Sequence, residues 1–135
     1  MSRVEKFKLW EEVQRLSVYV KSSELGEAVW AVVSRLSWLE KKSIGAQYIS
    51  CVDSIGANIA EGYGRYFYKD KIKFYYYSRG SLLEACSWTK TMKNRGFLSE
   101  EEYKKITDLL SQIPIEMHVL IRNTKYQFVS KRLNT

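Results

Sequence analysis

The apolar positions of the chain recur every three or four residues over most of its length, which is the period of an amphipathic α-helix. No alternating pattern of useful length predicts a β-strand. The pattern predicts four long helices, at about residues 17–37, 43–61, 68–95 and from 99 onward. Because the connections between them are short, we expect an all-α fold, an antiparallel up-and-down four-helix bundle.

Local signals indicate where these helices begin and end. Gly62 and Gly64 are expected to end the second helix and Gly96 the third, because glycine tolerates the backbone geometry that follows a helix. Ser99 followed by Glu102 is a capping box and predicts the start of the fourth helix. Residues 38–42 are interpreted as a connection. Pro114 lies within the fourth helix and is expected to kink it.

Each predicted helix has an apolar stripe that we assign to the core. The stripe is clearest in the first, second and fourth helices: Val18, Leu25, Val29, Val32, Val33 and Leu36; Ile44, Tyr48, Cys51, Ile55 and Ile59; Tyr103, Ile106, Leu110, Ile113, Met117 and Leu120. The third helix is apolar around more of its girth, which is typical of a central helix or an oligomer interface. Its predicted core stripe is Ile72, Tyr76, Leu83, Cys86 and Lys90, widened by Tyr75, Leu82 and Trp88.

A chain of 135 residues, 45% of them hydrophobic, fits one domain with a sizeable core. We divide it into an N-terminal extension at 1–15, a bundle domain at 16–128 and a basic C-terminal tail at 129–135. The extension is a weak segment that predicts only one or two helical turns around Phe7 to Gln14. The last ten residues are predicted to be frayed.

The formal net charge of +7 is unevenly distributed. Residues 61–95 carry eight Lys or Arg against three Asp or Glu, and residues 121–135 carry four against none. Clustered cations of this kind attract an anionic polymer, although a basic surface that only keeps the protein in solution has the same composition.

A stretch from Arg65 to Lys73 combines basic and aromatic residues, with Tyr66, Phe67 and Tyr68 among the cations. Basic groups neutralise phosphates and aromatic rings stack on exposed bases, so this stretch is a candidate nucleic-acid contact. The alternative is a helix start whose aromatic rings belong to the core. The candidate nucleic-acid-binding residues are Arg65, Lys69, Lys71, Lys73, Lys90, Lys93, Arg95, Arg122 and Lys125, with Lys131 and Arg132 as a possible extension.

A second set of polar residues interrupts segments that otherwise have the pattern of buried helices: Asn58, Glu61, Arg65, Arg79, Ser81 and Glu84. We interpret it as a structural network in which Glu61 pairs with Arg79, because an unpaired buried charge is costly. The alternative is a site for a small ligand, or one that uses Glu61 and Glu84 as acid and base. The set lacks a nucleophile, so no catalytic residue is assigned and the protein is not expected to be an enzyme.

Other chemistry is excluded by residue counts. One histidine, His118, and two cysteines, Cys51 and Cys86, do not supply the ligands of the usual zinc sites, and no phosphate loop or dinucleotide motif is present. No metal or cofactor is therefore expected. The chain shows no secretory signal and no apolar run long enough for a membrane span, so a cytoplasmic protein that does not enter the membrane is expected.

The segment Ser54 to Arg65, which contains Asn-Ile-Ala-Glu-Gly-Tyr-Gly-Arg, and the segment Arg79-Gly80-Ser81 followed by Glu84 resemble the family of 23S ribosomal RNA intervening-sequence proteins. The chain departs from the family pattern at Phe67, where a helix-capping serine is usual. The resemblance implies a four-helix bundle that assembles as a ring-like homopentamer and has no known enzymatic activity. Similar proteins include accessory proteins of diversity-generating retroelements, which implies RNA or DNA and a reverse transcriptase as partners, and others are encoded within rRNA intervening sequences and have no settled activity.

Two functions follow from these observations. The first is a non-enzymatic, oligomeric accessory protein that binds nucleic acid through a basic surface. The second is an oligomeric scaffold whose partner is a protein, such as a reverse transcriptase, without direct binding of nucleic acid.

Overall fold

The computed structural model describes residues 1–133, and these are almost entirely helical and contain no β-strand. The all-helical prediction is therefore confirmed. The elements in chain order are α1 (Arg3–Arg15), α2 (Ser17–Val33), α3 (Trp38–Glu40), a π-helical turn (Lys41–Gly45), α4 (Ala46–Tyr63), α5 (Tyr68–Asn94) and α6 (Glu100–Leu133).

The first helix is longer than the sequence pattern predicts. Ser2 accepts a hydrogen bond from the Glu5 backbone N–H at 3.1 Å while the Glu5 carboxylate accepts from the Ser2 N–H at 2.9 Å, so a complete capping box starts α1. The helix packs on α2 and α4: Val13 is buried, and the Trp10 and Tyr19 rings meet edge to face at 5.8 Å. The prediction of one or two isolated turns is wrong.

The segment 38–42 is helical and does not form the predicted connection. Ser37 and Glu40 make a second capping box, which starts the helix at Trp38. The chain then passes through the π-helical turn directly into α4 without a break. The local signal for this helix start is the Ser-x-x-Glu spacing at Ser37, which is the same spacing as at Ser99.

Four long helices form a closed circuit in which α2 packs on α4, α4 on α5, α5 on α6 and α6 on α2. The core stripes predicted for α2 and α4 are completely buried, and those of α6 are buried or half-buried. Short turns join α4 to α5 and α5 to α6, and each pair is antiparallel because the chain reverses within a few residues.

The predicted main stripe of α5 is displaced by one residue from the buried face, although Tyr75 and Leu82, which were predicted to widen it, are buried. Tyr76, Leu83, Cys86 and Lys90 are exposed, and Ile72 is half-buried. The buried face is shifted to the adjacent positions, which include two hydroxyl residues: Tyr75, Ser78, Leu82, Ala85, Thr89 and Met92. Hydrophobicity alone favours the wrong face because Ser78 and Thr89 are polar residues. Both are nevertheless buried, since their hydroxyl groups form hydrogen bonds inside the protein.

Those hydroxyl groups determine how α4 and α5 align. The Ser78 Oγ donates to the Ile55 carbonyl at 2.7 Å, and the Tyr48 hydroxyl lies 2.7 Å from the Thr89 Oγ1. Near the turn the two backbones come close at Gly62, where an added Cβ would lie 2.8 Å from Tyr75 Cε1. These three contacts fix one antiparallel register along the whole pair.

The last helix begins as predicted, since Ser99 and Glu102 form the expected reciprocal hydrogen bonds at 3.1 and 2.9 Å. Arg35 reaches across from the end of α2 and pairs with the same Glu102 carboxylate at 2.5 Å. Pro114 lies inside α6, which continues to Leu133. The predicted fraying is therefore wrong as far as Leu133, and residues 134–135 of the predicted tail lie outside the described part of the chain.

Candidate nucleic-acid interface

The structure separates the polar set that the sequence grouped together. Glu61 forms an ion pair with Arg65 at 2.6 Å on the exposed surface of one helical turn. Arg79 is exposed on α5, with its guanidinium 4.6 Å from the centre of the Tyr76 ring. The two side chains are separated because both lie on solvent-exposed faces of their helices and not on the faces by which α4 and α5 pack together.

The remaining members also lie apart. The Asn58 Nδ2 donates to the Ser54 carbonyl at 2.9 Å within its own helix. Glu84 accepts a long bond of 3.4 Å from the Trp88 indole, also within one helix. Ser81 is half-buried on α5. Within the chain, Glu61 and Arg79 therefore do not clamp α4 to α5; the buried bonds of Tyr48 and Ser78 hold these helices together instead.

The basic and aromatic stretch forms a built feature at the turn between α4 and α5. The helix α4 ends at Tyr63, and Gly64 continues as its C-cap residue. The Lys71 Nζ donates to the Tyr63 carbonyl at 2.7 Å, which satisfies an acceptor that the helix end leaves free. Phe67 is the N-cap residue of α5 and makes no side-chain capping bond. The turn is thus held by a lysine from the following helix.

A cleft of about 770 Å³ opens over this turn, and we call it the aromatic cleft. Two exposed aromatic rings lie on its rim: Tyr66 is 87% exposed and Phe67 66%, and the two rings meet edge to face at 5.1 Å. Tyr68 packs against Phe128 of α6 with ring centres 6.1 Å apart, and both rings line the cleft. Large rings left in solvent beside a cleft are available to stack on a planar ligand.

Cations surround the aromatic cleft. Arg65, Lys69, Lys71 and Lys131 line it, whereas Asp70 is its one acidic lining residue among those described. The Lys131 ammonium lies 5.4 Å above the Tyr68 ring, and its hydrogen bond to the Tyr68 hydroxyl raises the pKa of Lys131. Burial lowers the pKa of Lys71. Because the Lys71 ammonium already donates to the Tyr63 carbonyl, it contributes to the cleft mainly through its charge.

The N-terminal segment forms one wall of the aromatic cleft through Met1 and through Leu9 of α1. It is tied there by the Tyr63 hydroxyl, which donates to the Glu12 carboxylate at 2.8 Å. Burial, followed by this carboxylate, raises the pKa of Tyr63 to about 12. The segment that the sequence assigned to an extension thus contributes to the site.

The nucleic-acid candidates fall into two groups. Arg65, Lys69 and Lys71 belong to the aromatic cleft; Lys73 is exposed one turn further along α5, and Arg122 and Lys125 line a second depression between α5 and α6. The other three, Lys90, Lys93 and Arg95, occupy the opposite end of α5. At 1.5 Å per residue, Lys69 and Lys90 are about 30 Å apart. Lys93 is also paired with Glu100.

Sequence reasoning missed Phe128 and Leu9 as members of the cleft, because both reach it from distant parts of the chain. Lys131 and Arg132 were named only as an extension; Lys131 now lines the cleft, and Arg132 lies 5.7 Å from the Phe128 ring.

Nothing in residues 1–133 brings three metal-ligating side chains together. No helix in that range combines the length and the apolar character that crossing a bilayer requires.

The fold and the site define an all-helical protein that has a cationic aromatic cleft at one end. The chain belongs to the 23S rRNA-intervening sequence protein family, whose model matches residues 14–117. It is similar in fold to a protein of unknown function from the S23 ribosomal protein family of Bacteroides thetaiotaomicron. The identity is 23% and the TM-score 0.69, over 77% of this chain and 97% of the other. No curated protein matches the sequence.

Proposed function

We propose that this protein is a non-enzymatic accessory protein that binds single-stranded nucleic acid at the aromatic cleft, in the cytoplasm. The observation that carries the proposal is the placement of Tyr66 and Phe67, both largely exposed, among Arg65, Lys69 and Lys131. Stacking on aromatic rings tolerates any base, and cations that follow the backbone supply salt-dependent affinity.

The choice of a single strand follows from the shape of the site. Exposed rings contact the faces of bases, and those faces are covered by neighbouring bases in a duplex. The first turn of α5 adds backbone N–H groups without a side-chain cap at the cleft, and helix N-termini attract phosphate. Both features favour unpaired nucleotides over a double helix.

Fluorescence anisotropy with labelled single-stranded and duplex RNA and DNA across a salt series tests this proposal. We expect tighter binding to single strands, and a negative slope of log affinity against log salt. The Tyr66→Ala/Phe67→Ala variant should bind about tenfold more weakly or worse, since stacking contributes about 1–3 kcal/mol per base.

A matched control is Trp38→Ala/Leu39→Ala, which removes two side chains that are 73% and 68% exposed at the start of α3. This variant should bind like the unmodified protein. If no salt-dependent binding occurs at low ionic strength, the proposal is wrong. If the two variants bind equally, the aromatic cleft is not the site.

We further propose that the protein acts as an oligomer of four-helix bundles, with the ring-like homopentamer of the family resemblance as the expected form. Support comes from an exposed apolar stripe on α6, where Ile115, Val119, Tyr126 and Val129 recur at helical spacing and are 38–75% exposed. The solvent face of α2 carries Trp30, 56% exposed, beside acidic residues. A contact between unlike faces of successive copies closes into a ring when the rotation permits.

Native mass spectrometry at micromolar concentration tests assembly, and a pentamer would have five times the 15.9 kDa mass of one chain. The Val119→Asp/Tyr126→Asp variant should be monomeric, because charges would enter an apolar contact. A monomer in the unmodified protein would refute the assembly. If the oligomer forms but retains a protein such as a reverse transcriptase and no nucleic acid, the scaffold function is the better one.

A further inference from the structure

A second depression lies between α5 and α6, about 500 Å³ in volume and separate from the aromatic cleft. It is lined by Tyr76, Arg79, His118, Ile121, Arg122 and Lys125, so three permanent cations from two helices converge on it. We call it the Tyr76 pocket. Converging cations repel one another, and an arrangement of this kind is favourable when an anion lies between them.

Tyr76 positions two of these cations. The Lys125 Nζ donates to the Tyr76 hydroxyl at 2.8 Å, and the Arg79 guanidinium lies against the Tyr76 ring at 4.6 Å. The hydrogen bond from Lys125, together with both charges, lowers the pKa of Tyr76. Both charged groups therefore lie against one ring, and each has more N–H donors than its contact with Tyr76 uses.

Among residues 1–133, no carboxylate lines the Tyr76 pocket or forms an ion pair with its cations. Glu116 lies on α6 near this level, but it turns towards α2, where it accepts from Ser17 at 2.9 Å and from Lys21 at 2.5 Å. Glu84 accepts from the Trp88 indole on its own helix and does not line the pocket. Within residues 1–133, Arg122 has neither an ion pair nor a hydrogen bond.

We propose that the Tyr76 pocket binds a phosphate monoester. Arg79 and Arg122 supply the planar, bidentate donors that suit phosphate oxygens, and Lys125 supplies a third charge. A monoester carries close to two negative charges at neutral pH, which matches a pocket with three cations better than a carboxylate or a diester does. Its source is either a small phosphorylated metabolite or the phosphorylated end of a nucleic-acid strand.

Isothermal titration calorimetry of the full chain with inorganic phosphate, adenosine monophosphate and acetate provides the first test. Phosphate and the nucleotide should bind, and acetate should bind at least about tenfold more weakly, since it offers one charge and two oxygens. The Arg79→Gln/Arg122→Gln variant should lose about 100-fold in phosphate affinity, at about tenfold for each charged hydrogen-bonding group. Both side chains are exposed, so circular dichroism should show an unchanged fold.

Lys90→Gln/Arg95→Gln is the matched control, because it removes the same net charge at the far end of α5. Its phosphate affinity should stay within about twofold of the unmodified protein, as expected for sites that do not interact. Equal phosphate binding by the two variants would overturn the inference. Absence of phosphate binding by the unmodified protein would overturn it too.

The source of the phosphate is separated by two oligonucleotides that differ only in a 5′-phosphate. Preference for the phosphorylated strand that disappears in Arg79→Gln/Arg122→Gln indicates a strand end. Binding of free phosphate and nucleotide without that preference indicates a metabolite. The Tyr76 pocket and the proposed function can fail separately. If the Arg79→Gln/Arg122→Gln variant binds strands as well as the unmodified protein but neither protein binds phosphate, only the aromatic cleft is supported. If the unmodified protein binds phosphate but no strand, only the Tyr76 pocket is supported.

Discussion

The buried hydroxyl pair of Tyr48 and Thr89 gives a prediction whose direction depends on which group donates. The Thr89 Oγ1 lies 2.7 Å from the Ala85 carbonyl, so its single proton is engaged there. The proton between Thr89 and Tyr48 must then come from the Tyr48 hydroxyl, since the two oxygens are 2.7 Å apart. Tyr48 is completely buried and Thr89 is 2% exposed, so water does not replace either partner.

The two single substitutions should therefore differ. Tyr48→Phe removes a donor and leaves a Thr89 hydroxyl that still donates to Ala85, so we expect a loss of about 1 kcal/mol in the free energy of unfolding. Thr89→Val leaves the Tyr48 hydroxyl buried without an acceptor, which should cost about 1–3 kcal/mol. The double variant should cost less than the sum, because it removes both polar groups together.

Urea denaturation followed by circular dichroism measures all three losses, provided that the slope with denaturant stays constant. A larger loss for Tyr48→Phe than for Thr89→Val, or strict additivity in the double variant, would refute the donor assignment. Each kcal/mol should lower the melting temperature by several degrees in a domain of this size. Ligand-free protein at fixed concentration is needed, because binding and assembly also shift stability.

The same pair predicts a response to alkaline pH. Burial raises the pKa of Tyr48 to about 12, above the ordinary tyrosine value of 10. Because the folded state holds this proton more tightly, its stabilising contribution is complete below about pH 10 and is lost as the pH rises towards 12. Tyr48→Phe should lose less stability than the unmodified protein over this range, measured by denaturation at each pH. Equal losses would show that the Tyr48 proton does not contribute.

Two further predictions use matched positions elsewhere. Gly62→Ala should destabilise the protein by about 1–3 kcal/mol, because the new Cβ would meet the buried Tyr75 ring at 2.8 Å. At Gly80 an added Cβ has nothing within 4 Å, so Gly80→Ala should stabilise by about 0.5–1 kcal/mol. Thermal denaturation measures both variants, and equal effects would contradict the close approach at Gly62. Glu102 has a pKa lowered to about 2, chiefly by its hydrogen bond from Arg35, so stability present above pH 4.5 should fall between pH 4.5 and 2. Glu102→Gln should flatten that fall, and an unchanged acid profile would exclude the pair as its cause.

The helices could be predicted from the sequence wherever one face is apolar and the other polar. The core stripes of α2 and α4 followed from spacing alone, and Ser99 with Glu102 marked the start of α6. The buried face of α5 could not be predicted in this way, because this helix is apolar around most of its girth. Its inward face includes Ser78, whose partner is a carbonyl on another helix, and no local pattern reports such a contact.

The candidate site was predictable only where its residues are adjacent in the chain. The turn from Arg65 to Lys71 contains both the rings and the charges, so composition was enough to indicate it. Phe128 and Leu9 join it from segments about 60 residues away, and their arrival depends on the packing of α1 and α6. The predicted pair of Glu61 and Arg79 does not form for a related reason: which face of each helix is buried depends on packing between helices, and both residues lie on exposed faces.

The charged residues of α6 are distributed asymmetrically along its length, which gives this helix a side-chain dipole. Its 34 residues extend about 50 Å, from a first turn of three glutamates, partly neutralised by Lys93 and Arg35, to a last turn with Lys131 and Arg132. In the field of a polyanion, such a rod experiences a torque that turns its cationic end forward before any contact is made. Added salt should therefore slow encounter with a charged polymer more than it hastens departure.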